Sequence, residues 1–318
     1  MTSHPQTPLA GQHHLHVDEV TGMPELAQTI APDRSAVVAA LRSLVRSRAA
    51  FLSAIFVVAL VLLALFANVI APHDPRAMSI SHRMLWPVWT GADSNPDFLF
   101  GTDGLGRDIL SRVIHASRMT LLVAVSAVIV SGLVGIVVGL LAGYFGGLID
   151  SVVMRLADLQ LAFPSLLIGL IVMALLGSGV VELVFVIALT QWAYFGRLVR
   201  SEVLKIREME YVQAARVLGA GNTRIIVRHI LPNAVASMLV VASFTLALAI
   251  FYEASLSFFG LGVPPAIPTW GNMLADARNV LLRNWWFAFF PGVAITLTVL
   301  SFNMLGDWAR DYFDVKVE

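Results

Sequence analysis

Few residues in this sequence have a type and spacing suited to chemistry, and they are scattered. Gly101, Gly104 and Gly106 lie in FGTDGLGRDILSR, Phe100 to Arg112. Three close glycines invite a phosphate-loop reading, but no lysine follows the last one and no strand-to-helix junction surrounds them. A tight turn is expected instead, with Arg107 and Asp108 opening a helix along an outer surface. His13, His14 and His16 sit in a polar stretch whose spacing fixes no metal geometry. His115 with Asp108 is the one pair that could be nominated for a membrane enzyme. Within the long apolar runs the polar residues are Asn68, Ser126, Gln191, Ser243, Thr245, Glu253 and Asn303, and of these only Glu253 ionises. Glu253, Gln191 and Asn303 are the candidates for a substrate path. A carboxylate such as Glu253 is costly in lipid unless it meets water, a partner helix or a substrate; a solvated place near the end of its span is the plainer alternative. No nucleophile stands beside a base and no helical His pair brackets a Glu, so a non-enzymatic role is expected.

The composition says what must position these groups. The 318 residues are 58% hydrophobic and 13% charged, with no cysteine and a formal net charge of zero. Mean hydropathy is +0.79, and the apolar runs are long enough to cross a bilayer. This excludes disulfides and thiolate metal sites, and nothing in the charge suggests nucleic acid. The expected class is an all-α polytopic membrane protein with six transmembrane helices. The spans fall at Ala50–Ile70, Leu121–Gly143, Leu159–Leu176, Val180–Phe195, Ala234–Phe258 and Trp285–Leu305. Gly135, Gly139 and Gly143, spaced by four, should let helix backbones approach closely. Ile149, Val152, Val153 and Leu156 form the stripe of an interfacial helix before the third span. Basic residues outnumber those of the opposite side by roughly two to one in the segments read as inner, so both termini are expected to be cytoplasmic. The division is residues 1–35, a flexible cytoplasmic tail; 36–70, a basic flank and the first span; 71–118, an outer segment; and 119–318, a core with a cytoplasmic loop at 200–232.

That loop holds EYVQAARVLGAGNTRIIVRHILP, Glu210 to Pro232. Tyr211, Ala214, Ala215 and Leu218 share one helical face. Gly219-Ala220-Gly221-Asn222 should end that helix, Thr223–Leu231 reads as a second short one, and Pro232 suits the first turn of the next span. The loop is either a basic anchor at the membrane surface or an element gripped by a soluble partner.

The order Ala214-Ala215, Gly219, Leu231-Pro232 resembles the "EAA" loop of ABC importer permeases, with Gln213 where the first Glu would stand and His229 where an Ile is usual. GTDGLGRD and EASLSFFGLG (Glu253 to Gly262) resemble the dipeptide, oligopeptide and nickel permease group, C-type subunits. The resemblance implies a type I importer permease fold in a bacterial cytoplasmic (inner) membrane. It implies a homologous second permease, two ATPase subunits or domains carrying ATP and Mg, an extracytoplasmic substrate-binding protein, and no cofactor in this chain. The ATPase-coupling residues would be Glu210, Gln213, Ala214, Ala215, Gly219, Leu231 and Pro232. Peptides are the expected substrate, with nickel or glutathione as alternatives. A stand-alone channel or secondary carrier, needing no ATPase, is the competing class.

Overall fold

The computed structural model describes residues 34–91 and 93–314; the His13–His16 stretch lies outside them. The chain divides into two compact units, Met1–Ala40 and Leu41–Glu318. Of the first only residues 34–40 are described, as the opening of helix α1 (Arg34–Arg46). Among the described residues the secondary structure is helical, with isolated bridges but no strand.

Helix α2 (Arg48–Leu65) is followed by the short α3 (Ala67–Ile70) and an irregular segment with two single-turn helices. Helix α4 (Ile109–Phe145) then runs for 37 residues, about 55 Å at 1.5 Å per residue. The outer-surface helix expected after GTDGLGRD and the second span are thus one helix. Nothing between Arg112 and Leu121 breaks it, because neither Pro nor Gly occurs there.

The third crossing is not a single straight helix. α5 (Gly147–Ala162) and α6 (Ser165–Leu176) meet at a 91° bend. Pro164 forces it: Phe163 before it is pushed to φ −101°, ψ 145°, the extended region that residues preceding proline prefer. The apolar stripe on α5 faces away from the protein, with Ile149, Val152 and Leu156 exposed. Its polar face is tied to α7 (Val180–Ile206) by the Asp150–Arg200 and Asp158–Arg197 pairs and by Gln160 Nε2 donating to the Thr190 carbonyl at 2.9 Å. Among the described residues five helices are long and apolar enough to span a membrane, six crossings if the bent pair counts as one.

After α7 come α8 (Glu210–Val217), α9 (Asn222–Ile225) and α10 (Leu231–Phe258). The second short helix expected at Thr223–Leu231 is not separate: Asn222–Phe258 is one apolar stretch of 37 residues. Its opening is widened into a π-type turn over Ile226–Ile230. Pro232 has no N–H to give the Arg228 carbonyl, and its ring would crowd a regular turn there. Asn233 Nδ2 donates to the His229 carbonyl at 2.6 Å, replacing part of what the turn loses. Finally α11 (Trp270–Ala277) packs against α10 and α12 (Trp286–Asp314).

The most extensive contact joins α4 and α7. Gly139 lies where an added Cβ would stand 2.7 Å from the Gly196 carbonyl and 2.8 Å from Val199 Cβ. Gly143 meets Val203 in the same way one turn on. With little hydrophobic force between helices in lipid, such backbone approach supplies the dispersion contact that holds them. Gly139→Leu should therefore lower the thermal midpoint in detergent, at a cost of at least about 1–3 kcal/mol. Gly292→Leu, at a position where an added Cβ meets nothing within 4 Å, should leave that midpoint nearly unchanged.

Candidate functional site

The loop residues singled out from the sequence lie at the end of the α4–α7 pair. Glu210 opens α8, exposed, where its charge suits the helix N-terminus. Gln213 Nε2 donates to the Arg207 carbonyl at 3.0 Å, closing the end of α7. A glutamate there could not donate, so the departure from the "EAA" pattern has a local role. Ala214 is exposed and Ala215 half-buried. Gly219 has φ +80°; its N–H reaches the Arg216 carbonyl and that of Ala220 reaches Ala215, both at 3.0 Å. That doubled closure ends helices at a left-handed residue. Leu231 is half-buried and Pro232 exposed.

What fixes α8 is Val212, fully buried, which the helical-face reading did not select. It enters a cluster with Tyr144, Val199, Val203, Ile206, Ile225 and Ile230. Tyr144 Oη donates to Asn222 Oδ1 at 2.8 Å, and Arg207 Nη1 to the Gly143 carbonyl at 2.9 Å. Ends of α4, α7 and α9 thus converge on α8. The other side is bare: Val217 is 88% and Leu218 87% exposed, with Tyr211 and Met209 beside them. Local desolvation pushes the Tyr211 phenol above its usual range. Arg216, Arg224 and Arg228 are exposed around this apolar group.

The three candidates for a substrate path are placed differently. Glu253 is fully buried, accepting from Thr120 Oγ1 on α4 at 3.2 Å and from Ser257 Oγ at 2.9 Å. Gln191, also fully buried, satisfies its amide on α10 when its nitrogen faces the Thr245 carbonyl and its oxygen the Ala249 N–H, both at 3.2 Å. Both act as ties between helices. Asn303 is half-buried on α12. The structure does not bring these three together with the loop residues. His115 and Asp108 do not pair either. Asp108 caps α4 by accepting from the Ser111 N–H at 3.0 Å, while His115 contacts the Ser111 carbonyl and Asn68.

GTDGLGRD forms the expected turn, and also something composition could not show. Asp103 accepts from Arg107 Nε at 2.6 Å and from Arg112 Nη1. Asp276 on α11 accepts from Arg107 Nη2 at 2.9 Å and from Arg112 at 3.2 Å. Two guanidinium groups and two carboxylates neutralise one another and pin the turn and α11 to the start of α4. Trp270 Nε1 adds a bond to the Val113 carbonyl at 3.1 Å.

Residues 135–318 match the family described as binding-protein-dependent transport system inner membrane component. Residues 35–87 match the N-terminal TM domain of oligopeptide transport permease C. Among similar proteins is the di/tripeptide transport system permease protein of Pseudomonas aeruginosa, 40% identical over 87% of this chain and 91% of that one. A glutathione transport system permease protein of Pectobacterium atrosepticum is 38% identical over 87% of this chain and 90% of its own length. A probable D,D-dipeptide transport system permease protein of Escherichia coli is 37% identical over 83% and 86%.

The ion network makes a graded expectation. Asp103 is 5% exposed and Asp276 43%. Asp103→Ala leaves Arg112 buried with only a half-solvated partner and should destabilise the protein by about 3–5 kcal/mol. Asp276→Ala should cost about 1 kcal/mol or less, as for pairs open to solvent. Thermal unfolding of both variants in the same detergent measures the difference.

Proposed function

This chain belongs to the family of binding-protein-dependent transport system inner membrane components, and on that premise we propose that it forms half of the pathway of an ATP-driven peptide importer. The protein is a multi-pass inner-membrane ABC permease. Its partners would be a second, homologous permease, two ATPase subunits or domains holding ATP and Mg, and a substrate-binding protein on the outer side. Both termini and α8 would face the cytoplasm, and the GTDGLGRD turn with α11 the outside.

One observation carries the coupling role. α8 is locked to the bundle by Val212, Gln213 and the ends of α4 and α7, yet leaves Val217 and Leu218 almost wholly exposed. A surface anchor would not need so rigid a mount. A partner gripping this face when it binds ATP would move α4, α7 and α10 together. Such a partner shifts the bundle between inward- and outward-open states only by differing in affinity for them. Glu210, Ala214, Ala215, Gly219, Leu231 and Pro232 shape the dock. Gln191 and Glu253 would form the wall of the pathway rather than meet the substrate, and Asn303 is the one of the three left to face it.

Short peptides are the substrate class we assign. The names of the relatives mention di/tripeptides, D,D-dipeptides and glutathione, all carrying amide bonds and carboxylates. Affinity capture of the tagged chain in mild detergent should recover an ATPase, a second permease and a binding protein. Capture of this chain alone, still able to transport in liposomes, would overturn the importer reading for a carrier or channel. Leu218→Glu should insert and melt like the wild type while losing the ATPase from the captured complex. Gly219→Asp should likewise insert but abolish uptake, because it strains a position at φ +80° within the dock; normal uptake would remove Gly219 from that role.

A further inference from the structure

We propose that a cavity beside the start of α4 binds the phosphate of a phospholipid headgroup. The cavity measures about 700 Å³. Three segments distant in sequence build its wall: Asn68 on α3 with Ala71 to Arg76 after it, His115 to Leu122 on α4, and Ile267–Pro268 before α11. Both Arg76 and Arg118 line it and are exposed. Neither guanidinium has a carboxylate or other side-chain partner among the described residues. Other arginines of this protein with an acid in reach are paired, as Arg107, Arg112, Arg197 and Arg200 are. Asp74 is the single acid of the lining, and its Oδ1 is already occupied by the Arg76 backbone N–H at 2.8 Å. His115 and Asn68, bonded at 3.3 Å, add polar groups to the same wall. The cavity therefore offers two unspent planar donor groups, the geometry that recognises phosphate oxygens in pairs.

The surfaces adjoining the cavity select a lipid over a soluble anion. Leu122, itself part of the lining, begins an exposed stripe on α4 that continues through Val125, Ile129 and Leu133 at helical spacing. On the other side Leu62, Leu65, Phe66 and Val69 of α2 and α3 are exposed as well, and α2 and α3 both pack on α4. A cationic cavity at the head of two apolar walls matches a phosphate above acyl chains. Basic pockets between membrane helices hold headgroups by the same combination. A free anion would need the cavity but not the walls. Arg118 and Arg76 would fix the register of α4 and the α3 segment against the membrane surface.

The test uses the full-length chain in mild detergent and native mass spectrometry of retained lipid. Palmitoyl-oleoyl phosphatidylglycerol should be retained at least about tenfold better than palmitoyl-oleoyl glycerol, which has the same chains and no phosphate, given the strength of charge-assisted hydrogen bonds. Arg76→Gln with Arg118→Gln should remove that preference. Arg283→Gln, an exposed arginine outside the cavity, should keep it. Equal retention of the two lipids, or an unchanged preference in the double variant, overturns the proposal. Displacement of the bound lipid by inorganic phosphate or by Ala-Ala at millimolar concentration would overturn it too, in favour of a soluble phosphate or a peptide carboxylate.

Discussion

The close approach of α4 to α7 is the contact on which the rest of the protein depends. It is made by absence: Gly139 and Gly143 remove side chains so that Gly196, Val199 and Val203 can reach the α4 backbone. Two long helices joined this way behave as one body, since neither can slide without opening the seam or forcing a clash. Polar ties fasten both ends of that body. The ion network of Asp103, Arg107, Arg112 and Asp276 holds one end. Tyr144, Arg207 and the cluster around Val212 hold the other.

This arrangement gives a physical route between the two ends. In the proposed coupling role, a displacement of α8 would be transmitted through Val212 to the ends of α4 and α7, and the α4–α7 pair would carry it about the length of α4, to the turn that holds α11. No chain of small side-chain adjustments is required, only a stiff body with a handle. Regular helix geometry is interrupted elsewhere, at the 91° bend before α6 and at the π-type turn between α9 and α10. Both are placed where proline has removed a backbone donor, one before α7 and one after α8.

Much of this was legible in the sequence because it depends on local chemistry. A glycine every fourth residue announces a packing seam, and Gly219 after a short amphipathic helix announces its end. The span read as Leu159–Leu176 runs across the proline at residue 164, and the near right-angle bend there was not legible. What stayed hidden depends on partners far away in the chain. Arg112 could be read as a helix residue, but its partner Asp276 lies far away, between the spans read as Ala234–Phe258 and Trp285–Leu305. Val212 carries no signal of its own: the face read from Tyr211, Ala214 and Leu218 is the exposed one, and only the fold shows that the opposite residue is the anchor. The join of Thr223–Leu231 to the following span was missed because Pro232 reads as a helix start, which it is, while a widened turn lets the helix begin before it.

The buried polar groups also bear on where the energy for movement enters. A carrier driven by protons needs a carboxyl that alternates between water on the two sides. Glu253 has the position for this but not the freedom. Thr120 and Ser257 donate to its two oxygens, and Thr120 stands on α4, within the rigid pair. Releasing Glu253 to water would break a tie between α4 and α10 and leave those hydroxyls buried without their acceptor, a cost comparable to that of unmade hydrogen bonds. Gln191 makes the corresponding tie between α7 and α10. The membrane interior thus spends its few polar groups on holding α10 to the α4–α7 body. This supports the proposal that work enters from outside the bilayer through α8, which is rigidly mounted and presents an exposed apolar face.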